Sequence, residues 1–266
     1  MSVLQAKHLS YKKGAKHVLK DINLILEQGD RCVLFGLNGC GKTTLLSILA
    51  GYHSGTDGEL RLFDEEPTEE NIYSLRQRIG WVSTSFFDQY YGYENNLDIV
   101  LAGKYGDLGL CDEVTDEDVR QAKHLMTALG LKRQMRYTYD MLSRGQRQKV
   151  LLARACMSEC ELLLLDEPCS GLDILSKAKV LYQLENMLKD QKKSVIYVAH
   201  HTDEILPFFN KAVLLKNGQI HSQGSLKKVF STDNLTNFFQ LPAKTVFVGD
   251  AIKIQLSAAD IDLSKY

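Results

Sequence analysis

The 266-residue chain has almost no net charge: 32 Lys and Arg against 33 Asp and Glu leave −1 at neutral pH. With no basic excess to attract a phosphate backbone, no direct binding of nucleic acid is expected. Basic pairs such as Lys192-Lys193 and Lys227-Lys228 read as solvated helix faces. Long apolar runs are missing too. Nothing approaches the roughly eighteen consecutive apolar residues of a membrane span, and Leu162-Leu163-Leu164-Leu165 ends at two carboxylates. No charged-then-apolar leader is read at the start of the chain. The six cysteines form no C-x-x-C pair and have no histidine at zinc spacing. Cys32 and Cys156 lie in apolar surroundings and read as buried reduced thiols, which makes the cytosol the expected compartment. No internal repeat or low-complexity tract is evident, and the length suits one large α/β domain or two modest ones.

What the chain does contain is Gly36-Leu37-Asn38-Gly39-Cys40-Gly41-Lys42-Thr43-Thr44, directly after the apolar run Cys32-Val33-Leu34-Phe35. This fits the phosphate-binding pattern G-x-x-x-x-G-K-[ST], with a strand before it and a helix, Thr44 to Ala50, after it. Gly36, Gly39 and Gly41 allow torsions and close approach that a side chain forbids. The loop N–H groups, those of Asn38 and Cys40 among them, are then expected to form an anion nest reinforced by the positive end of the helix. Lys42 is expected on the β- and γ-phosphates, Thr43 on Mg²⁺ and Thr44 on the α-phosphate side. The implied ligand is a nucleoside triphosphate.

Ser2 to Tyr11 and Val18 to Leu26 read as strands, as do Gly58 to Phe63 and Ile79 to Ser83. Helical spacing dominates from about Glu94 to Arg154, in Asn96 to Ala102, Asp116 to Leu129 and Gly145 to Met157. The α/β rhythm then returns: strand Glu161 to Leu165, helix Ser176 to Leu188, strand Ser194 to Ala199, helix Asp203 to Phe208 and strand Ala212 to Lys216. Such alternation argues for a parallel, helix-covered sheet interrupted by a helical insertion. A hairpin is expected around Gly249-Asp250. The strand Leu162 to Leu165 delivers Asp166-Glu167 to its C-terminal end, where open α/β sheets place ligand chemistry. Asp166 is expected to hold Mg²⁺ with Thr43, and Glu167 to polarise the attacking water as general base.

Leu142-Ser143-Arg144-Gly145-Gln146 opens a helix running on through Gln148 and Val150, and a Ser beside a Gly at a helix start is another anion-binding end. Together with the elements above, the chain closely resembles the ATP-binding cassette ATPases over residues 2 to 235, whose signature reads L-S-x-G-Q. The resemblance implies an α/β P-loop NTPase core, its mostly parallel sheet carrying helices on both faces. An N-terminal antiparallel β-subdomain and an inserted α-helical subdomain complete that fold. The ATPase domain would span 1–235, with core 1–84 and 161–235, the insertion at about 85–160, and a small C-terminal extension at 236–266.

By the same resemblance the chain binds and hydrolyses ATP with Mg²⁺ as a head-to-tail dimer. Ser143, Gly145 and Gln146 of one copy would cap the triphosphate held by the other. Lys42, Glu167 and His200 would be catalytic, and Tyr11 would stack on adenine. Ser170-Gly171-Leu172-Asp173 matches the loop that communicates across the dimer, and strand register favours His200 over His201 as the switch histidine. One departure stands out: the family's usual metal-contacting glutamine is replaced by Thr84, with Gln89 a few residues on as an alternative. The implied function is the ATPase subunit of a transporter, cytoplasmic and peripheral under separate integral membrane subunits. Trp81-Val82-Ser83 and Leu97 to Gly103 look most like cassettes of metal-chelate or molybdate-type uptake. The alternative is a soluble cassette remodelling a partner such as an iron–sulfur assembly scaffold. A P-loop small-molecule kinase leaves the signature helix and the Glu167-to-His200 set unexplained.

Overall fold

The computed structural model describes residues 2–109, 114–158, 160–188, 193–249 and 251–256, without the side chains of Gln183, Met187 and Ala251. Cys111, Lys192, Asp250 and positions 257–266 of the expected extension lie outside the described residues. The chain begins with β1 (Ser2–Lys13), β2 (Lys16–Glu27) and β3 (Arg31–Gly36), followed by the phosphate loop and α1 (Lys42–Leu49). β4 (Asp57–Leu62), α2 (Ile72–Gln77) and β5 (Ile79–Ser83) lead into α3 (Thr84–Phe87), α4 (Asn96–Ala102), α5 (Asp116–Ala128) and α6 (Arg144–Ala155). β6 (Leu162–Asp166), α7 (Ile174–Met187), β7 (Ser194–Ala199), β8 (Lys211–Lys216) and β9 (Gln219–Gly224) return to the sheet. Two short helices, α8 (Leu226–Val229) and α9 (Thr232–Phe239), precede the hairpin of β10 (Ala243–Val248) and β11 (Ala251–Leu256).

The central sheet has the order β5-β6-β7-β3-β8-β9. Its first five strands are parallel, and β9 joins antiparallel at the edge. Strands β5, β6 and β7 are buried along their whole length. That burial explains their continuous apolar sequences, since helices cover both faces of a parallel sheet. The second sheet, order β2-β1-β4, is antiparallel. Because β6, β7 and β3 are neighbours running in one direction, their carboxyl ends bring Asp166, His200 and the phosphate loop to one edge.

Helix α5 starts at a full capping box: Thr115 and Asp118 each accept from the other's backbone N–H. Two readings of the sequence need correction. The helix expected over Asp203 to Phe208 is only a 3-10 turn, Thr202–Glu204. Pro207 stops it, because its ring pushes the preceding residue out of helical torsions and it has no N–H to give. Strand β9, helix α8 and helix α9 were not anticipated. Leu235 and Phe238 of α9 are fully buried, so this segment is part of the packed body.

Candidate functional site

The phosphate loop is shaped by crowding beneath it. A Cβ on Gly36 would lie 2.5 Å from the Leu215 carbonyl oxygen, and Gly41 takes φ 107° where the loop turns into α1. No side chain caps α1 and its first turn has no acidic residue. Its N-terminal N–H groups are therefore left to an anion. Lys42 is 5% exposed, and its ammonium donates to the carbonyls of Gly36 (3.0 Å) and Leu37 (3.1 Å). That uses two of its three N–H donors and holds the charge over the loop. Cys40 is turned inward, and burial raises its thiol pKa above the usual range, so it offers the site backbone only.

Val18, Asn38, Gly39, Gly41, Lys42, Thr43, Thr44 and Glu167 line a cleft of about 200 Å³. The expected catalytic carboxylate and the phosphate loop thus share one cavity. Glu167 sits in the left-handed region at φ 53°, an uncommon conformation for a residue with a side chain. Its carbonyl accepts from Gln148 Nε2 (2.9 Å) and from the Ser170 N–H (3.0 Å), which hold the turn. Its carboxylate Oε1 lies 2.6 Å from Nε2 of His200. His200, and not its neighbour His201, therefore meets the carboxylate.

Asp166 is 4% exposed at the end of β6. Burial pushes its carboxyl above the usual carboxylate range, against the downward pull of the Ser83 hydrogen bond and of the neighbouring Thr43 hydroxyl. Ser83 donates to Oδ2 at 2.7 Å, while Oδ1 is buried without a hydrogen-bond partner. An unpartnered buried carboxylate oxygen beside the Thr43 hydroxyl is a donor set suited to a hard divalent cation. Among the described residues no cluster of three or more His, Cys, Asp or Glu could hold a metal. The fit is that of Mg²⁺, which takes one or two protein oxygens and completes its shell with phosphates and water.

Thr84 opens α3 at 8% exposure, and the hydroxyls that reach Asp166 are those of Ser83 and Ser85. Gln89 is tied by its amide to the Ser85 carbonyl at 2.9 Å. Tyr11 does not line the cleft; its ring centre lies 6.2 Å from that of His53, and Val18 takes the lining position. Ser143 and Gln146 cap each other at the start of α6, Ser143 is exposed, and neither they nor Gly145 line the cleft of their own chain. The loop residue Ser170 is held by the Arg144 guanidinium at 3.0 Å. Sequence reasoning missed Gln148 and Ser83, because each acts through a neighbour that only the fold brings close, and Val18, which the fold brings to the cleft wall.

A phosphate loop and paired carboxylates gathered at one edge of a helix-covered parallel sheet define the P-loop nucleoside triphosphatases. The model of the family described as ABC transporter matches residues 19–170. An uncharacterized ABC transporter ATP-binding protein of Bacillus subtilis, YlmA, is 36% identical over 93% of this chain and 95% of its own. The molybdate import ATP-binding protein MolC of Haemophilus influenzae is 33% identical, over 87% of this chain and 85% of its own. A solved inward-facing putative metal-chelate type ABC transporter has a chain that superposes with TM-score 0.72 at 28% identity, over 97% of both chains. The chain belongs to the ABC transporter family, as a stand-alone ATP-binding subunit. It is an ATPase.

Proposed function

We infer that two copies of this chain meet head to tail around ATP and drive transport through separate membrane subunits. The observation that carries this reading is the exposed, mutually capped Ser143–Gln146 helix end, which lies outside its own chain's phosphate cleft. Its N–H groups and the Ser143 hydroxyl suit a phosphate held by a partner copy. In this reading residues 1–235 form the ATPase domain, with the insertion at about 85–160, and the small extension at 236–266 begins inside α9, which anchors it to the body through Phe238. No helix of the described residues is long and apolar enough to cross a membrane.

Within each site Lys42 and the loop N–H groups hold the β- and γ-phosphates, and Thr44 holds the α-phosphate side. Thr43 and Asp166 would hold Mg²⁺, which would supply neutralisation of the charge on the transferring phosphoryl group. Glu167 orients water in line with the γ-phosphate and takes its proton. His200 keeps the Glu167 carboxylate in place. The likeness to a molybdate importer subunit and to a metal-chelate type transporter supports import of a metal oxyanion or chelate. A soluble scaffold as partner is not favoured, since the relatives above are named for transporters. Affinity purification from solubilised membranes tests this: a polytopic membrane protein should come with the chain. Recovery with a soluble partner alone, or a catalytically competent monomer in solution scattering with ATP, would count against it.

A further inference from the structure

We propose that Ser83 is the positioning residue of the Asp166 carboxylate. The inference rests on the reading of Asp166 as the Mg²⁺-holding carboxylate. Strands β5 and β6 are paired in parallel register with Ser83 opposite Asp166. Residues opposite each other in a sheet project to the same face, and the next residue along projects to the other. Ser83 thus stands beside the carboxylate, and Thr84 lies past the strand end, as the first residue of α3.

The hydrogen-bond inventory of Ser83 is closed. A serine hydroxyl has one proton and two lone pairs. The proton goes to Asp166 Oδ2 at 2.7 Å, and one lone pair accepts from the Phe86 N–H at 3.3 Å as the cap of α3. The Ser85 hydroxyl lies 3.1 Å from Ser83 Oγ. With the Ser83 proton committed to Asp166, Ser85 is the donor in that contact, and its 3.4 Å approach to Asp166 Oδ2 is the longer, competing use of the same proton. Asp166 is left with Oδ2 engaged and Oδ1 buried and unpartnered, so a single oxygen is presented to the cation.

The hydroxyl pair is also held rigidly. Phe86 packs on Trp81 with ring centres 4.3 Å apart and on Tyr52 at 5.5 Å, and Phe87 stacks on Tyr91 at 5.4 Å. Ser83 itself has no exposed surface. Where the family resemblance leads one to expect a long amide on this loop, the chain has a short donor welded to the sheet.

The test is binding of a fluorescent ATP analogue, titrated from excess chelator to excess Mg²⁺, so that the readout is independent of turnover. Removing one hydrogen bond to a buried charged group should raise the Mg²⁺ concentration for half-maximal affinity about tenfold in Ser83→Ala. Binding in chelator should stay within about twofold of the unmodified chain. Ser83→Cys, nearly the same size and a weaker donor, should show a rise in the same direction and serves if alanine at this buried cap fails to fold. A rise in Asp166→Asn with none in Ser83→Ala or Ser83→Cys overturns the inference and leaves the reading of Asp166 standing. No rise in Asp166→Asn overturns both. Equal weakening with and without Mg²⁺ in the Ser83 variants, or the rise appearing in Thr84→Ala instead, also overturns it.

Discussion

The imidazole Nε2 of His200 lies 2.6 Å from the carboxylate Oε1 of Glu167, joining the end of β7 to the residue that follows β6. The two residues are separated in the chain by α7 and meet because their strands are neighbours in the sheet. The contact takes one carboxylate oxygen and leaves the other to the cleft it shares with the phosphate loop. A general base needs that kind of orientation before its basicity matters.

Glu167→Gln should keep the shape and lose the base. Steady-state phosphate release is expected to fall by at least about a hundredfold. ATP binding should persist, and ATP should hold the variant as a lasting dimer in light scattering. Turnover at the unmodified rate would refute the assigned role.

Lys42→Ala removes the ammonium from the loop and also the two hydrogen bonds that it gives to Gly36 and Leu37. Preorganised charge at a transferring phosphoryl group contributes about 3 kcal/mol, so hydrolysis should drop by roughly two orders of magnitude. Nucleotide affinity measured by calorimetry should fall with it. Tight binding with full hydrolysis would count against the whole site.

Gln148 lies on α6 and touches Glu167 only through the backbone carbonyl, at 2.9 Å. Gln148→Ala should let the left-handed turn at Glu167 relax. One neutral hydrogen bond is lost, so kcat is expected to fall about five- to tenfold while KM for ATP changes little. A rise in KM at constant kcat would place Gln148 in nucleotide binding instead.

Asp118 caps α5 and is met by Lys104, by the Tyr105 hydroxyl at 3.1 Å and by the Thr115 N–H at 3.1 Å. The Lys104 hydrogen bond, followed by those of Thr115 and Tyr105, holds its carboxyl below the ordinary 3.8, against the opposing effect of burial. The unfolded chain therefore binds this proton more tightly than the folded one. The stabilisation is complete above the unfolded value and disappears as pH falls through the lowered folded value. Asp118→Asn should cost about 1–2 kcal/mol at neutral pH. That difference should shrink in acid, as read by urea denaturation at both pH values.

Much of the site was legible because phosphate chemistry demands particular residue types at fixed spacing. Gly36 to Thr44 and Asp166-Glu167 carry that demand in their order alone, while the long helices α5 and α6 were legible from the periodicity of the apolar face that they bury. Other features were not legible. Gln219–Gly224 is polar and alternately half-buried, and it becomes a strand only because β8 offers it an edge. No local pattern marks Thr84–Phe87 as a helix; it becomes α3 because Ser83 caps it and Phe86 and Phe87 sink into aromatic neighbours.

From the order of residues alone came the phosphate loop, the acidic strand end, the signature helix and the family they belong to, since each is a local pattern written in contiguous positions. The tertiary structure decided which histidine meets Glu167, that Gln148 holds its carbonyl, and that Ser83 rather than Thr84 binds Asp166. Those contacts join residues far apart in the chain. Sheet order and strand register set them, and no local pattern encodes which strands become neighbours.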